Sequence, residues 1–273
     1  MKLSSKKILK KDDPYPDLVG KYWLDKIRSL GRLRGLRRTF IKLINQYPRY
    51  FGNLADFIKQ EKSLGFYQTL ELYPILGEWT AKTSFDSHYV YQGPWLFEKL
   101  LQIKPKSHVD VASYVGYLGF MSAIVPTTFV DIRPTGAKFK GFTEKVGSIL
   151  KLPYKTGEVE SLSCLHVIEH VGLGRYGDPI DVEGTREAAK ELKRVLAPGG
   201  NLYVSLPVGK PKVYFNAHRV LDPGEVLKYF SGLDLVELSG IDDRGNLINN
   251  VSLSTLRNSD YACGLFWFRK SAK

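Results

Sequence analysis

The apolar and polar positions between residues 106 and 134 predict a strand, a turn, a helix and a second strand. Val109 and Val111 belong to a short apolar run that ends near Ala112, and residues 117–124 are mostly apolar, as in a buried helix. Residues 127–132 are largely β-branched or aromatic, which favours a strand that ends near Asp131. The segment therefore has the pattern of a β-α-β unit with parallel strands.

Two carboxylates lie at the ends of the two predicted strands. Asp110 and Asp131 are about twenty residues apart, and ligands of open α/β sheets bind beyond the carboxyl ends of such strands. The second acid is placed to accept the two hydroxyls of a ribose. A nicotinamide dinucleotide is disfavoured, because its pyrophosphate requires a turn with three glycines, whereas this turn has Asp110, Ala112 and Gly116. A cofactor without phosphates tolerates Ala112.

The positive charge of the chain is concentrated near its N-terminus. The formal net charge is +12, and residues 1–50 contain 14 Lys or Arg against four Asp. Residues 1–20 lack periodicity and are predicted to form an arm, whereas residues 22–46 place apolar and basic positions at helical spacing. Such a helix either packs on the core or lies on an anionic membrane surface. Nucleic acid is the less favoured partner, because no nucleic-acid-binding motif accompanies the charge.

Two shorter helices are predicted before the β-α-β unit. Residues 53–64 have Asn53 as a candidate N-cap and Gly65 as a candidate stop. Residues 89–101 have Pro94 near the predicted helix start. We therefore assign residues 1–88 to a basic helical extension and residues 89–273 to the main domain.

A second β-α-β pattern follows in the C-terminal half. Residues 183–196 predict an amphipathic helix, which ends at the Pro-Gly-Gly of residues 198–200. The proline stops the helix, and the two glycines are expected to supply positive φ for a tight reversal. Further strands are predicted at residues 161–167, 201–208, 233–238 and 261–269.

Together these motifs resemble those of the class I S-adenosylmethionine-dependent methyltransferases. The resemblance covers about residues 90–270, and Ala112, Tyr114 and Ser148 depart from the family pattern. It implies an α/β, Rossmann-like class I methyltransferase fold: a mostly parallel seven-stranded sheet with helices on both faces, and S-adenosylmethionine as the cofactor. The motifs that carry it are the turn at residues 110–116, the acid at the end of the second strand, GSI and LPY at residues 147–154, LHVIEH at residues 165–170, and APGG at residues 197–200.

The resemblance also implies roles for particular residues. Asp131 is expected to hold the ribose hydroxyls, residues 110–116 to line the methionine end, and residues 147–149 to border the adenine. The implied cofactor contacts are Asp110, Ala112, Ser113, Gly116, Asp131, Ile132, Ser148, Ile149, Leu165 and His166.

Methylation of a hydroxyl benefits from a general base within hydrogen-bond reach. His170, His218 and Asp178 are the candidate catalytic residues, and Arg175, Asp178 and Asp181 are candidate substrate contacts in the loop after His170. Imidazole and carboxylate side chains in this set also suit a divalent cation. Their spacing does not enforce a metal site, so none is predicted.

The segment at residues 164–181, with Asn216, His218 and Arg219, also resembles a narrower group of methyltransferase-like proteins. Some of that group are encoded among genes of bacterial surface-polysaccharide synthesis, which implies a glycan or glycolipid acceptor. The predicted function is therefore O-methylation of a sugar. The alternatives are methylation of a small molecule, lipid or protein, and a binding module that has lost catalysis. Base methylation is disfavoured, because HVIE at residues 166–169 replaces the motif used for base amines.

The composition favours a cytoplasmic protein. Cys164 and Cys263 lie in apolar runs and are predicted to be buried free thiols in a reducing compartment. No apolar run approaches the roughly 20 residues that span a bilayer. Peripheral contact with the inner face of the membrane, through the basic helix, remains an open alternative.

Overall fold

The computed structural model describes residues 46–65, 70–76 and 78–272. The chain divides into two compact units, Met1–Ser84 and Phe85–Lys273. The predicted N-terminal arm and the basic helix at residues 22–46 lie outside the described residues, apart from residue 46. Within those residues, no helix is long and apolar enough to cross a membrane.

The first unit contains helix α1 (Tyr47–Leu64). This helix begins earlier than predicted, because Gln46 occupies the N-cap position and a proline stands in the first turn, where its missing N–H costs nothing. The prediction that Asn53 caps the helix is therefore wrong. Gly65 ends the helix at φ 67°, as predicted, and its N–H bonds the last-turn carbonyls.

The second unit is built on one large sheet. Five strands are parallel, in the order β3-β2-β1-β4-β5, and β10, β8 and β9 extend the sheet as antiparallel neighbours. The predicted Rossmann-like methyltransferase fold is confirmed, with eight strands in the described sheet instead of seven because of the two-residue β9. The strands are β1 (His108–Val111), β2 (Thr127–Asp131), β3 (Phe142–Val146), β4 (Val159–Leu165), β5 (Leu196–Val208), β6 (Lys212–Tyr214), β7 (His218–Val220), β8 (Leu233–Ile241), β9 (Leu247–Ile248) and β10 (Ala262–Lys270). Strands β6 and β7 form a separate hairpin.

Helices cover both faces of the sheet. One apolar cluster packs residues of α2 and α3, such as Leu96 and Met121, against Phe129 and Leu265. The other packs residues of α4 and α5 against the opposite face, with Leu192 as a fully buried member. The helices are α2 (Ser87–Ile103), α3 (Leu118–Ile124), α4 (Gly184–Val195), α5 (Pro223–Tyr229) and α6 (Leu253–Arg257).

Helix α2 begins before the predicted position. The Asp86 side chain accepts hydrogen bonds from the backbone N–H groups of His88 (3.0 Å) and Tyr89 (3.4 Å), so Asp86 is the N-cap. Pro94 lies inside the helix, and its predicted place at the helix start is wrong. The early start brings His88 to the first turn of the helix.

The Pro-Gly-Gly segment differs in two respects from the prediction: it lies within β5, which begins at Leu196, and only one of its glycines has positive φ. Gly199 has φ 74°, as the reversal requires, but Gly200 does not have positive φ. A Cβ on Gly200 would lie 2.8 Å from the carbonyl oxygen of Ala197 and 3.1 Å from that of Glu160. The second glycine therefore permits close backbone approach at the point where the register of β4 and β5 shifts.

Candidate active site

An open cleft lies at the carboxyl ends of β1, β2 and β4. Its position is the one at which α/β sheets bind ligands. Eight of the predicted site residues line its wall: Ala112, Asp131, Ile132, Ser148, Ile149, His166, His170 and Asp178. The other five lie outside the wall: Asp110, Ser113, Gly116, Leu165 and His218.

Asp110 anchors the turn after β1 from inside the sheet. Its Oδ1 accepts the N–H of Ser113 at 3.1 Å, and its Oδ2 accepts the hydroxyls of Ser113 (2.7 Å) and Ser163. The Ser113 hydroxyl oxygen also accepts the N–H of Leu165 at 3.0 Å, which ties the turn to β4. Burial raises the pKa of Asp110 to about 6 although these bonds favour the charged form. Its role in this structure is to hold the turn in place.

Ala112 has the backbone conformation that a glycine would adopt. Its φ is 56°, in the left-handed region, and the residue lines the cleft. Ala112 therefore adds one methyl group to the cleft wall while its backbone is left-handed. Gly116 faces elsewhere: a Cβ there would meet the Tyr114 ring at 2.4 Å.

Asp131 ends β2 with its side chain at the cleft, where it is 9% exposed. Its Oδ1 accepts the N–H of Arg133 at 2.8 Å, and the Arg133 Nε lies 3.5 Å from the same oxygen. The Arg133 guanidinium lies over the Tyr176 ring, 4.6 Å from its centroid. One carboxylate oxygen is thus held in place, and within the described part of the chain Oδ2 makes no protein hydrogen bond.

The segment after β3 forms the next part of the wall. The Gly147 N–H donates to the carbonyl of Asp131 at 3.1 Å. A Cβ at Gly147 would lie 2.9 Å from Pro153 and 3.0 Å from Val130, so only glycine fits without movement. The Ser148 hydroxyl accepts the N–H of Leu150 at 3.2 Å, which leaves its own hydrogen available to a ligand.

A buried carboxylate lies behind the histidines of the cleft. Glu169 is fully buried, with Oε1 3.0 Å from His166 Nδ1 and 3.7 Å from His170 Nε2. Neither carboxylate oxygen has an aligned hydrogen bond among the described residues. Burial acts to raise the pKa of Glu169, but the neighbouring His166 and His170 outweigh it and hold that pKa below its usual value. The Glu169 charge therefore depends on these two imidazoles.

His166 follows β4 in the left-handed conformation, with φ 56°. Its Nε2 lies 3.3 Å from the Sγ of Cys263 in β10. Burial lowers the pKa of His166, but Cys263 and Glu169 outweigh burial and raise that pKa to about 10. Both cysteines are buried and free, as predicted.

His170 presents a defined tautomer to the cleft. Its Nδ1 lies 2.6 Å from the carbonyl oxygen of Ala217, which can only accept, so Nδ1 carries a proton. In the neutral ring Nε2 is therefore the basic nitrogen. The Nη1 of Arg175 also donates to the Ala217 oxygen, at 3.1 Å.

The loop at residues 172–181 is held by its own carboxylates. Asp178 accepts the N–H groups of Gly172 (2.6 Å), Gly174 (3.4 Å) and Tyr176 (3.2 Å). Burial acts to raise the pKa of Asp178, and these backbone donors outweigh it and lower that pKa. Asp181 Oδ1 accepts the Glu183 N–H at 2.9 Å. The two acids thus fasten the loop, and only Asp178 of the pair lines the cleft.

His218 lies in β7, behind the cleft. Its ring centroid is 6.3 Å from that of His170 and 5.3 Å from that of Tyr261. Burial lowers the pKa of His218. Its Nε2 is buried without a hydrogen-bond partner among the described residues.

Three features of the site were not predicted. Arg133 and Tyr176 line the cleft, and Glu169 is the buried carboxylate beneath it. The position of Arg133, two residues after the ribose-binding candidate Asp131, was the available signal for that residue. No sequence signal linked Tyr176 to Arg133.

Comparisons with known proteins give one family profile and several distantly similar structures. The sequence profile of one family, described as "Caenorhabditis protein of unknown function, DUF268", matches residues 151–261. No curated protein matches the chain. The N-methyltransferase NodS from Bradyrhizobium japonicum WM9, solved with S-adenosyl-L-homocysteine, is 16% identical, with 67% of this chain and 87% of that chain covered and a TM-score of 0.45. A SAM-dependent methyltransferase from Methanosarcina mazei is 15% identical, with 65% and 98% covered and a TM-score of 0.44. Similarity at this level carries no argument about the function of this chain, for which the geometry of the cleft is the basis.

Proposed function

We propose that this protein is an S-adenosylmethionine-dependent methyltransferase. The observation that carries the proposal is the placement of Asp131 at the end of β2, in the wall of the cleft, with Oδ1 fixed by Arg133 and Oδ2 without a protein partner in the described chain. A carboxylate in that position is suited to the paired hydroxyls of a ribose. The 147–149 segment adjoins it and offers a free hydroxyl hydrogen on Ser148.

The residues present fit this cofactor. The cleft wall offers a carboxylate for the ribose, a hydroxyl for the adenine edge and a left-handed turn at Ala112 for the methionine end. Among the described residues, the wall contains one glycine, Gly147, and no glycine-rich phosphate cradle, which suits a cofactor that has no phosphate. When bound, S-adenosylmethionine supplies an activated methyl group on a sulfonium sulfur.

The protein's own contribution is to exclude water, orient the acceptor and remove a proton. His170 is the residue proposed to hold that proton, at Nε2, because its Nδ1 is already committed to Ala217. Glu169, 3.7 Å away, would stabilise the resulting imidazolium. His170 would accept the hydroxyl proton of the acceptor at Nε2 when the methyl group is transferred to the hydroxyl oxygen.

The acceptor proposed for the first trials is a sugar hydroxyl of a surface glycan or glycolipid. Its support is the resemblance of residues 164–181 and 216–219 to methyltransferase-like proteins of polysaccharide gene clusters. Arg175, Asp178 and Asp181 are the proposed loop contacts. Asp178 and Asp181 already hold backbone N–H groups at the loop. They would therefore act on the acceptor mainly through the shape that they give the loop.

Calorimetric titration with S-adenosylmethionine tests the cofactor proposal. Asp131→Asn preserves shape but replaces the charge-assisted acceptor, and we expect it to weaken binding by about 2 kcal/mol, roughly 30-fold. Asp234→Asn in β8, an exposed carboxylate on a strand away from the cleft, is the matched control and should leave the affinity unchanged. Absence of binding to the folded wild-type protein would refute the proposal.

A second experiment separates catalysis from binding. His170→Gln should bind S-adenosylmethionine as the wild type does, but should lose methyl transfer to acceptors found in a glycan screen. Full retention of transfer by this variant would exclude His170 as the base. Binding without transfer to glycans, small molecules, lipids or proteins would favour the inactive binding module.

A further inference from the structure

Three metal-ligating side chains converge beside the cleft, from segments far apart in the chain. His88 lies in the first turn of α2, His166 follows β4, and Cys263 lies in β10. One ligand atom from each lies within 4.8 Å of the others. We propose that His88, His166 and Cys263 form a binding site for a divalent cation of the zinc class.

The geometry is close to that of a bound ion. With bonds of about 2.0–2.3 Å, a tetrahedral zinc ion holds its ligand atoms roughly 3.3–3.8 Å apart. Cys263 Sγ and His166 Nε2 are already 3.3 Å apart. A movement of about 1 Å by the His88 ring would complete the set. Two imidazoles and one thiolate are ligands that zinc prefers, and they leave one position for water.

Glu169 supplies the support that metal-ligating histidines require. Its Oε1 lies 3.0 Å from Nδ1 of His166, so the carboxylate orients the ring with Nε2 toward the sulfur. Carboxylate–histidine–zinc arrangements of this kind fix the ring and raise its basicity.

Aromatic rings fix the other side of the cluster. The His88 ring stacks on Tyr261, with centroids 5.1 Å apart and an interplanar angle of 19°. The His166 ring lies 5.4 Å from that of Tyr89. Both imidazoles are nearly buried, with 7% and 9% of their surfaces exposed. The rings are therefore confined to orientations near those that an ion requires.

A nucleophilic Cys-His pair is the competing interpretation of the same contacts. It requires that a substrate reach the sulfur, but Cys263 has 0% exposure. Reactive cysteines are partly exposed, whereas a metal thiolate can be buried. His166 joins the cluster to the cleft wall, so an ion there would lie next to the cleft.

Cobalt substitution in the full-length protein tests the site directly. Titration with Co²⁺ should give one bound ion per chain and a sulfur-to-cobalt charge-transfer band, and Zn²⁺ should displace the Co²⁺. The chain has two cysteines, so the assignment is unambiguous. Cys263→Ser should abolish the band, whereas Cys164→Ser, at the equally buried second cysteine, should retain it.

His88→Gln provides the second variant, in case the Cys263 substitution prevents folding. It should weaken Zn²⁺ binding about 100-fold or more in competition with a chromophoric chelator, since a lost ligand costs at least as much as a lost supporting group. The proposal is overturned if the folded wild-type protein binds neither ion, if the band follows Cys164, or if His88→Gln binds as the wild type does. None of these results depends on S-adenosylmethionine binding, so the two proposals can fail separately.

Discussion

Substitution of Asp110 should change the pH dependence of stability in a defined way. The carboxyl group is fully buried in β1, and its oxygens accept three hydrogen bonds from Ser113 and Ser163. Burial dominates these bonds and raises its pKa from 3.8 to about 6. Asp110→Asn keeps the shape of the side chain and Oδ1 as the acceptor for the Ser113 N–H, and it removes the titration.

Proton linkage sets the direction in which stability changes with pH. Because the folded protein binds the proton more tightly than the unfolded chain, the contribution of Asp110 is fully present below pH 3.8 and is lost as pH rises through about 6. A shift of about two units at 1.36 kcal/mol each corresponds to about 3 kcal/mol. Between acid and neutral pH, the free energy of unfolding of the wild type should therefore fall by about 3 kcal/mol more than that of Asp110→Asn.

Urea unfolding of both proteins across that pH range measures the difference. The subtraction removes titrations that the two proteins share. The difference should persist at high salt, because burial, and not a long-range charge, is its main cause. A difference that stays constant with pH, or a wild type that gains stability relative to Asp110→Asn as the pH rises, would refute the argument.

Two further predictions concern the cleft and its loop. Ala112→Gly should bind S-adenosylmethionine with an affinity within about threefold of the wild type, or about 0.7 kcal/mol, because the φ of 56° at this position already suits glycine. Calorimetry measures the affinity, and a larger loss would mean that the alanine methyl group contacts the cofactor. Arg219→Ala should destabilise the protein by about 3 kcal/mol in urea unfolding, since Arg219 donates to the carbonyls of Val171 (2.6 Å) and Asp181 (3.1 Å). Arg186→Ala, at an exposed arginine, is the control, and its free energy of unfolding should fall by less than about 1 kcal/mol. Equal decreases for the two variants would show that the hydrogen bonds of Arg219 do not stabilise the fold.

The sequence predicted the sheet well, because buried parallel strands leave short apolar runs between turn residues. It predicted helix starts less well. Pro94 was placed at a helix start because proline is tolerated there. The N-cap is instead Asp86, whose side chain accepts hydrogen bonds from the N–H groups of His88 and Tyr89. Ser87 and His88 separate Asp86 from the predicted helix start at Tyr89, and they do not extend the apolar pattern, so the role of Asp86 was not visible as a change in periodicity.

The sequence likewise predicted some residues of the candidate site and missed the contacts of others. Residues that follow strands, such as Asp131 and His166, could be placed because strand ends of one parallel sheet meet at one edge. The contact of His166 with Cys263 joins positions 97 residues apart, and His88 joins them through a helix start that was misplaced. No local pattern encodes such a meeting, since it depends on how β10 enters the sheet.

The position of β10 has a consequence for synthesis of the chain. Strand β10 lies between β5 and β8, and it pairs along its length with both. Strand β8 therefore leaves the ribosome before its main partner exists, and its backbone has only the two-residue β9 beside it within the described sheet. Because unpaired strand edges favour aggregation, the nascent protein passes through a stage in which a chaperone or slow translation would protect it. The same late step delivers Cys263, so a metal site at this position could form only after the sheet is complete.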